Sequence, residues 1–95
     1  MQLIARAVEY GSPGDETAFF DWLGAIACVG VIGGVGPDLL IPLTREPSDE
    51  ELRELIALFH RYGVSLGQLA VFNRDWLLSP DAFWFSGMFG SDRDA

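Results

Sequence analysis

The stretch ACVGVIGGVGPDLLIPL at residues 27–43 decides the fold of this 95-residue chain. It predicts a β-hairpin, with strands at residues 27–32 and 39–43 joined by a glycine-rich loop at residues 33–38. Pro42 has no N–H to donate to a sheet, so its nitrogen should face outward or lie near the end of its strand. The chain should therefore contain an antiparallel sheet.

A third strand is predicted at residues 3–10, and all three strands carry apolar residues on both faces. A strand with one solvent-exposed face alternates apolar and polar residues, so these strands need cover on both sides. Two amphipathic helices can supply one cover. We expect the aromatic C-terminal segment to supply the other, and the alternatives are a second copy of the chain or a different protein.

The first helix is predicted to follow the turn at residues 11–14. Ser12 can cap its N-terminus, and Pro13 suits its first position. The helix should end near Gly24 or Ala25. Its apolar stripe has helical spacing and consists of Phe19, Trp22, Leu23 and Ile26.

The second helix is the clearest element of the sequence. Ser48 and Glu51 match the S-x-x-E capping box, in which each side chain binds the other residue's backbone amide. The helix should run to Tyr62 and end at Gly63, a common C-terminal stop. The buried stripe is predicted to be Leu52, Leu55, Ile56, Phe59 and Tyr62, and the solvent-exposed face Glu50, Arg53, Glu54 and Arg61.

The segment at residues 64–72 allows two interpretations. As a strand it would complete a four-stranded, ferredoxin-like βαββαβ pattern. As a short helix it would begin at Ser65 with Gln68 three residues later. We favour the helix because the period-two alternation breaks at residues 69–72.

The predicted fold is α+β. A small antiparallel three-stranded sheet, in the order β-α-β-β-α, is followed by short C-terminal helices. The last of these spans residues 82–89 and carries the aromatic residues Phe83, Trp84, Phe85 and Phe89. We expect a single domain at residues 1–90 and a disordered polar tail at residues 91–95.

Charge narrows the class of partner. The chain has 14 acidic and 6 basic side chains, a formal net charge of −8. Nucleic acid and anionic membranes are bound by clustered Lys or Arg, so neither is an expected partner, whereas a basic protein is attracted. If the third strand pairs antiparallel to the first, the two helices are antiparallel too, and their acidic starts lie at opposite ends of the helical layer.

Composition also bears on the source and the compartment. All six basic residues are arginine, which we interpret as GC-rich coding and a bacterial source. No apolar run approaches the roughly 18 residues of a membrane span, and the start lacks the pattern of a signal peptide. The single cysteine, Cys28, cannot form an intramolecular disulfide. We therefore expect a cytoplasmic protein.

No catalytic set is expected from the residue types. Cys28 lies in an apolar strand, where burial raises the pKa of a thiol, and its one possible partner is His60 in the second helix. The helix dipole explains the acidic residues at both helix starts, which argues against a cation site. The glycine-rich loop matches no nucleotide-binding motif. We predict no enzyme activity, no metal and no cofactor.

The remaining class of function is recognition of another protein. We predict a non-enzymatic protein-binding module, an acidic immunity or antitoxin-type inhibitor of a basic toxin or nuclease. The alternative is a homodimeric small-ligand-binding or regulatory ferredoxin-like module in which two sheets pack together. The predicted partner-binding residues are the acids Asp21, Glu54, Asp75 and Asp81 and the aromatics Trp76, Trp84 and Phe85.

Overall fold

The computed structural model describes residues 1–89 and shows a small α+β fold. The strands are β1 (Gln2–Ala5), β2 (Gly33–Val35) and β3 (Asp38–Pro42), and the α-helices are α1 (Pro13–Ala25), α2 (Asp49–Tyr62) and α3 (Phe85–Phe89). Two 3-10 helices, Gly67–Phe72 and Asp75–Leu78, lie between α2 and α3 in sequence. The strands form one antiparallel sheet in the order β1-β3-β2. The tail predicted at residues 91–95 lies outside the described residues.

The hairpin is present, but its first strand lies later in the chain than predicted. Val35 pairs with Asp38 across a two-residue turn in which Gly36 has a φ of +58°. This left-handed conformation suits glycine, and the turn sets the register, so that part of the predicted loop becomes β2. Residues 27–32 instead form turns and irregular backbone with one isolated bridge to the segment after β3.

Strand β1 is also shorter than predicted. It ends at Ala5, two residues before Ala7, whose φ of 45° is incompatible with extended backbone. The Ala7 N–H donates to Asp38 Oδ1 over 3.0 Å, which holds the bend against β3. Strand β3 ends at Pro42, as its missing N–H predicts.

The helices cover one face of the sheet. Leu3, Ala5 and Ile41 are buried on that face, in one core with apolar side chains of α1 and α2. The register pairs Ile4 with Leu40 on the opposite face, where both side chains remain partly exposed. Within residues 1–89, this second face has no cover, and cover by a second copy or by a different protein stays a prediction.

The aromatic C-terminal segment packs against α2 instead of the sheet. The Arg53 guanidinium lies 3.9 Å from the ring centroid of Trp76, and the rings of His60 and Phe83 are 4.8 Å apart. Helix α3 packs on the 3-10 helix Gly67–Phe72. The segment therefore adds a layer beside α2 and leaves the second sheet face open.

Both long helices begin at their predicted caps, α2 also ends at its predicted stop, and α1 ends at Ala25, as expected. Ser48 and Glu51 form the complete capping box of α2, and Gly63 ends the helix with a φ of +71°. Ser12 Oγ accepts the Asp15 N–H at the start of α1. The buried stripe of α2 contains Leu58, which the pattern missed, whereas Tyr62, which was predicted to be buried, is partly exposed.

The two helices run antiparallel, as expected. Near one end, the Tyr62 hydroxyl of α2 donates to the carbonyl oxygen of Asp15 in α1 over 3.3 Å. Near the other, Trp22 Nε1 of α1 donates to Glu54 Oε1 of α2 over 2.8 Å. The acidic start of α1 therefore lies beside the end of α2, away from the acidic start of α2.

Residues 64–72 contain a 3-10 helix at Gly67–Phe72, which begins later than the predicted start at Ser65, and no strand. The ferredoxin-like alternative is therefore not found in the described part of the chain. Gln68 gives the physical reason. Its side-chain amide accepts the Ile4 N–H over 2.8 Å and donates to the Ile4 carbonyl over 2.9 Å. The amide thus occupies the edge of β1, where a fourth strand would pair.

The last helix begins later than predicted. Backbone hydrogen bonds from Ala82 to Ser79 and from Phe85 to Ala82 form turns, and α3 starts only at Phe85.

Among residues 1–89, no helix combines the length and apolar character needed to cross a bilayer.

Candidate functional site

The seven predicted partner-binding residues lie on four elements and on the turn before α3. The four acids are exposed and the three aromatics are half-buried. Asp21 lies on α1, Glu54 on α2, Asp75 and Trp76 on a 3-10 helix, Asp81 in the turn, and Phe85 on α3. The residues are thus spread over five parts of the chain, and their role in binding stays a prediction.

Trp76 and Trp84 are the two predicted residues that the structure brings together. Their rings pack edge to face with centroids 5.8 Å apart, and Trp84 Nε1 donates to the Leu77 carbonyl over 3.0 Å. Arg53 covers the Trp76 ring. Both tryptophans are thus held by internal contacts, and Phe83 beside them is 55% exposed. Phe83, which was not among the predicted residues, is the most exposed of these three rings.

A second feature that the sequence analysis missed is an occupied acidic region around Arg74. The guanidinium donates to Asp49 Oδ1 and Glu46 Oε2, each over 2.8 Å, and to the carbonyls of Pro47 (2.8 Å) and Phe72 (2.6 Å). The hydrogen bond from Arg74 lowers the pKa of the Asp49 carboxyl. Arg74 thereby ties the C-terminal segment to the start of α2.

Glu51 belongs to the capping box of α2 and also binds a second arginine, Arg45. Its carboxylate binds Arg45 through both oxygens and accepts the N–H groups of Ser48 and Cys28. The hydrogen bond from Arg45, followed by that from the Ser48 backbone, lowers the pKa of Glu51 to about 2. Glu51 is therefore a charged anchor between α2 and the segment after α1.

Beside Glu51 lies a groove of about 330 Å³, which we call the open acidic groove. Its residues are Trp22, Ala25, Ile26 and Ala27 from the end of α1, and Glu50, Glu51 and Glu54 from the start of α2. The Trp22 indole is held by the 2.8 Å hydrogen bond to Glu54. Glu50 and Glu54 are exposed and form no salt bridge with another residue of 1–89.

The uncovered side of the sheet is a different kind of surface, which we call the outer sheet face. By register, Ile4, Leu40, Pro42 and Val35 share this face, and Val35 is 59% exposed. The charges of Arg6 and Asp38 balance each other, since Arg6 Nη1 lies 3.5 Å from Asp38 Oδ2. The face is therefore apolar and close to neutral, unlike the helical side.

The groups that could support catalysis are far apart. Cys28 is buried, and burial, followed by the nearby Glu51 charge, raises the pKa of its thiol. Its contact with Glu51 places it at the start of α2, whereas His60 lies nine residues further on, about 13 Å along the helix axis. These two side chains therefore form no nucleophile and base pair.

Within residues 1–89, no group of three or more His, Cys, Asp or Glu side chains is arranged to hold a metal ion. The open acidic groove and the outer sheet face are two surfaces from which a function can be argued. No family model, no curated protein and no solved structure matches this chain.

Proposed function

We propose that the protein is a non-enzymatic module that binds a basic protein, in the manner of an immunity protein or antitoxin acting on a basic toxin or nuclease. One observation carries the proposal. Residues 1–89 contain twelve acidic side chains, and four of them form salt bridges with arginine. The other eight are Glu9, Asp15, Glu16, Asp21, Glu50, Glu54, Asp75 and Asp81.

The arginines of the same residues are already engaged. Arg6, Arg45 and Arg74 form the salt bridges, while Arg53 lies over Trp76 and Arg61 lies 5.8 Å from the Tyr62 ring. Internal pairing therefore leaves a strongly negative surface. Such a surface accelerates encounter with a basic partner and disfavours nucleic acid and anionic lipid.

The proposal extends to the setting of the protein. A buried free cysteine suits a reducing compartment, and basic residues that are all arginine suit a bacterial source. We therefore propose a bacterial, cytoplasmic protein that acts without a cofactor.

The outer sheet face favours a second candidate function. An apolar, nearly neutral sheet face could pack against the same face of a second copy without strong charge repulsion. The protein would then be a homodimeric small-ligand-binding or regulatory module with its ligand at the junction. Sedimentation velocity separates the candidates, since a dimer dissociated by Leu40→Glu favours this one and a monomer favours the first.

The first candidate is tested by capture and kinetics. Immobilised wild-type protein should retain a protein of high isoelectric point from bacterial lysate, and association should slow steeply with added salt. The triple variant Asp21→Asn, Glu54→Gln and Asp81→Asn should associate more slowly and depend less on salt.

A matched control keeps the change in net charge but moves it to uncharged exposed positions, Thr17→Lys, Val71→Lys and Ser86→Lys. If this control slows association as much as the triple variant, only overall charge matters and the named acids do not form the surface. Retention of partners that are not basic, or kinetics that ignore salt, would contradict the proposal.

A further inference from the structure

We infer that the open acidic groove accepts an arginine side chain of the basic partner, an inference that rests on the proposed function. The groove combines an apolar floor with carboxylates at its rim. It thus fits a side chain with an aliphatic stem and a cationic end, which the partner must supply from its surface.

The shape of the groove suits the stem of such a side chain. The Trp22 ring and Ile26, which is 4% exposed, provide apolar surface, and Ala25 and Ala27 add small side chains that leave the space of about 330 Å³ open. Methylene groups of an arginine can bury against this floor while the guanidinium stays at the rim.

The charge at the rim lacks a cation. Glu50 and Glu54 are four residues apart on α2, where two like charges repel each other. The third carboxylate, Glu51, is already neutralised by Arg45. In addition, the last turn of α1 contains no basic residue, although the C-terminal end of a helix attracts cations. The repulsion between Glu50 and Glu54 and the lack of a basic residue at the end of α1 both favour a positive group from outside.

Arginine fits better than lysine for a geometric reason. The hydrogen bond from Trp22 engages Glu54 Oε1, which leaves Glu54 Oε2 and the Glu50 carboxylate as acceptors. A planar guanidinium can donate to two carboxylates at once and stack on an indole, whereas an ammonium is a point charge.

The same chemistry is already present within the molecule on α2. Arg74 bridges Asp49 and Glu46, and Arg53 stacks on Trp76 at 3.9 Å. In the occupied acidic region, the chain thus supplies its own arginines to two carboxylates and an indole. The open acidic groove presents an equivalent set, Glu50, Glu54 and Trp22, without the arginine.

The test is an NMR titration of the ¹⁵N-labelled full chain with N-acetyl-arginine methylamide. The Trp22 indole N–H signal, assigned through Trp22→Phe, should shift with saturation, while the indole signals of Trp76 and Trp84 stay in place. The lysine analogue keeps the positive charge without the guanidinium, and the norleucine analogue keeps the aliphatic stem without a charge. Both should bind more weakly than the arginine probe.

Paired variants locate the binding site. Glu50→Gln with Glu54→Gln keeps an acceptor for the Trp22 indole but removes both rim charges, and should weaken arginine binding about tenfold, as expected for losing one charge-assisted hydrogen bond. Glu16→Gln removes an exposed acid from the start of α1, at the other end of the helix pair, and should leave the titration unchanged.

Outcomes for the groove and for the proposed function are separable. If the Trp22 signal does not respond, or responds equally to the norleucine analogue, the groove is not an arginine site. If a basic partner is still captured in a salt-dependent way, the proposed function stands without the groove. If no basic partner is captured, the proposed function fails whatever the titration shows.

Discussion

Asp49 and Glu50 are neighbours in sequence at the start of α2, yet the fold gives their carboxylates different surroundings. Asp49 belongs to the occupied acidic region, where Arg74 binds it together with Glu46. Glu50 belongs to the open acidic groove, which it shares with Glu54 and Trp22. The difference lies in the C-terminal segment, which brings an arginine to one side of the helix only.

The start of α2 thus carries two kinds of carboxylate. On the occupied side, the carboxylates hold the chain together, and Arg74 also satisfies two backbone carbonyls. On the open side, no residue of 1–89 forms a salt bridge with the exposed carboxylates of the groove. We therefore expect substitutions on the two sides to affect different properties, stability in the first case and binding in the second.

The largest effect on stability is expected for Arg74→Met. The carbonyls of Pro47 and Phe72 lose their donor, at about 1 kcal/mol each, so the thermal midpoint should fall on the order of 10 °C. Differential scanning calorimetry measures this. Arg61→Met is the control, because Arg61 is exposed and lies only near the Tyr62 ring, and its midpoint should change little. Equal thermal midpoints for the two variants would show that Arg74 stabilises the fold no more than Arg61 does.

Acid sensitivity is the next effect. The pKa of Glu51 is lowered from its usual 4.5 to about 2, and the pKa of Asp49 is lowered as well. A carboxylate with a lowered folded-state pKa stabilises the protein above its unfolded-state pKa, and this contribution is lost as the pH falls toward the folded value. The urea midpoint should therefore drop between about pH 5 and pH 2.

Glu51→Gln isolates the part of this dependence that Glu51 causes. The variant should be less stable at pH 7, and its urea midpoint should fall less between pH 5 and pH 2, because glutamine does not titrate. A pH dependence as steep as that of the wild type would show that Arg45 and the capping box do not depend on the Glu51 charge.

The smallest effect on stability is expected in the open acidic groove. Glu54→Gln keeps an acceptor for Trp22 and relieves repulsion from Glu50, so the free energy of unfolding should rise by at most about 0.5 kcal/mol. Asp49→Asn, on the occupied side, should lower it. Urea unfolding at pH 7 compares them, and a Glu54→Gln variant less stable than Asp49→Asn would reverse the comparison.

The sequence predicted those parts of the fold that local rules determine. The capping box and Gly63 define both ends of α2, and Ser12 and Pro13 define the start of α1. The predicted position of β2 was wrong because the left-handed turn at Gly36 sets the register of the hairpin. Gly33, Gly34 and Gly36 lie close together, and the sequence does not show which of them adopts the left-handed conformation. The packing of the aromatic segment on α2 depends on contacts between distant residues, such as Phe83 with His60, which periodicity cannot show.

The sequence likewise predicted single residues of the candidate site but not the contacts between them. Glu54 was selected as an exposed acid, and Trp22 was assigned to a buried stripe, but nothing in the sequence indicated that they meet. Arg74 lies 25 residues from Asp49, so its role as the cation of the occupied region required the tertiary fold. Exposure of single residues could be inferred, whereas their pairing could not.

We expect the two sides of the α2 start to differ in whether a partner's arginine completes them. The decisive measurement is the equilibrium affinity for the captured basic protein, determined by calorimetry for Glu50→Gln with Glu54→Gln and for Asp49→Asn. We predict that the groove variant binds about tenfold more weakly and that Asp49→Asn, although less stable, binds like the wild type. Equal affinities for all three proteins, or a loss confined to Asp49→Asn, would contradict this account.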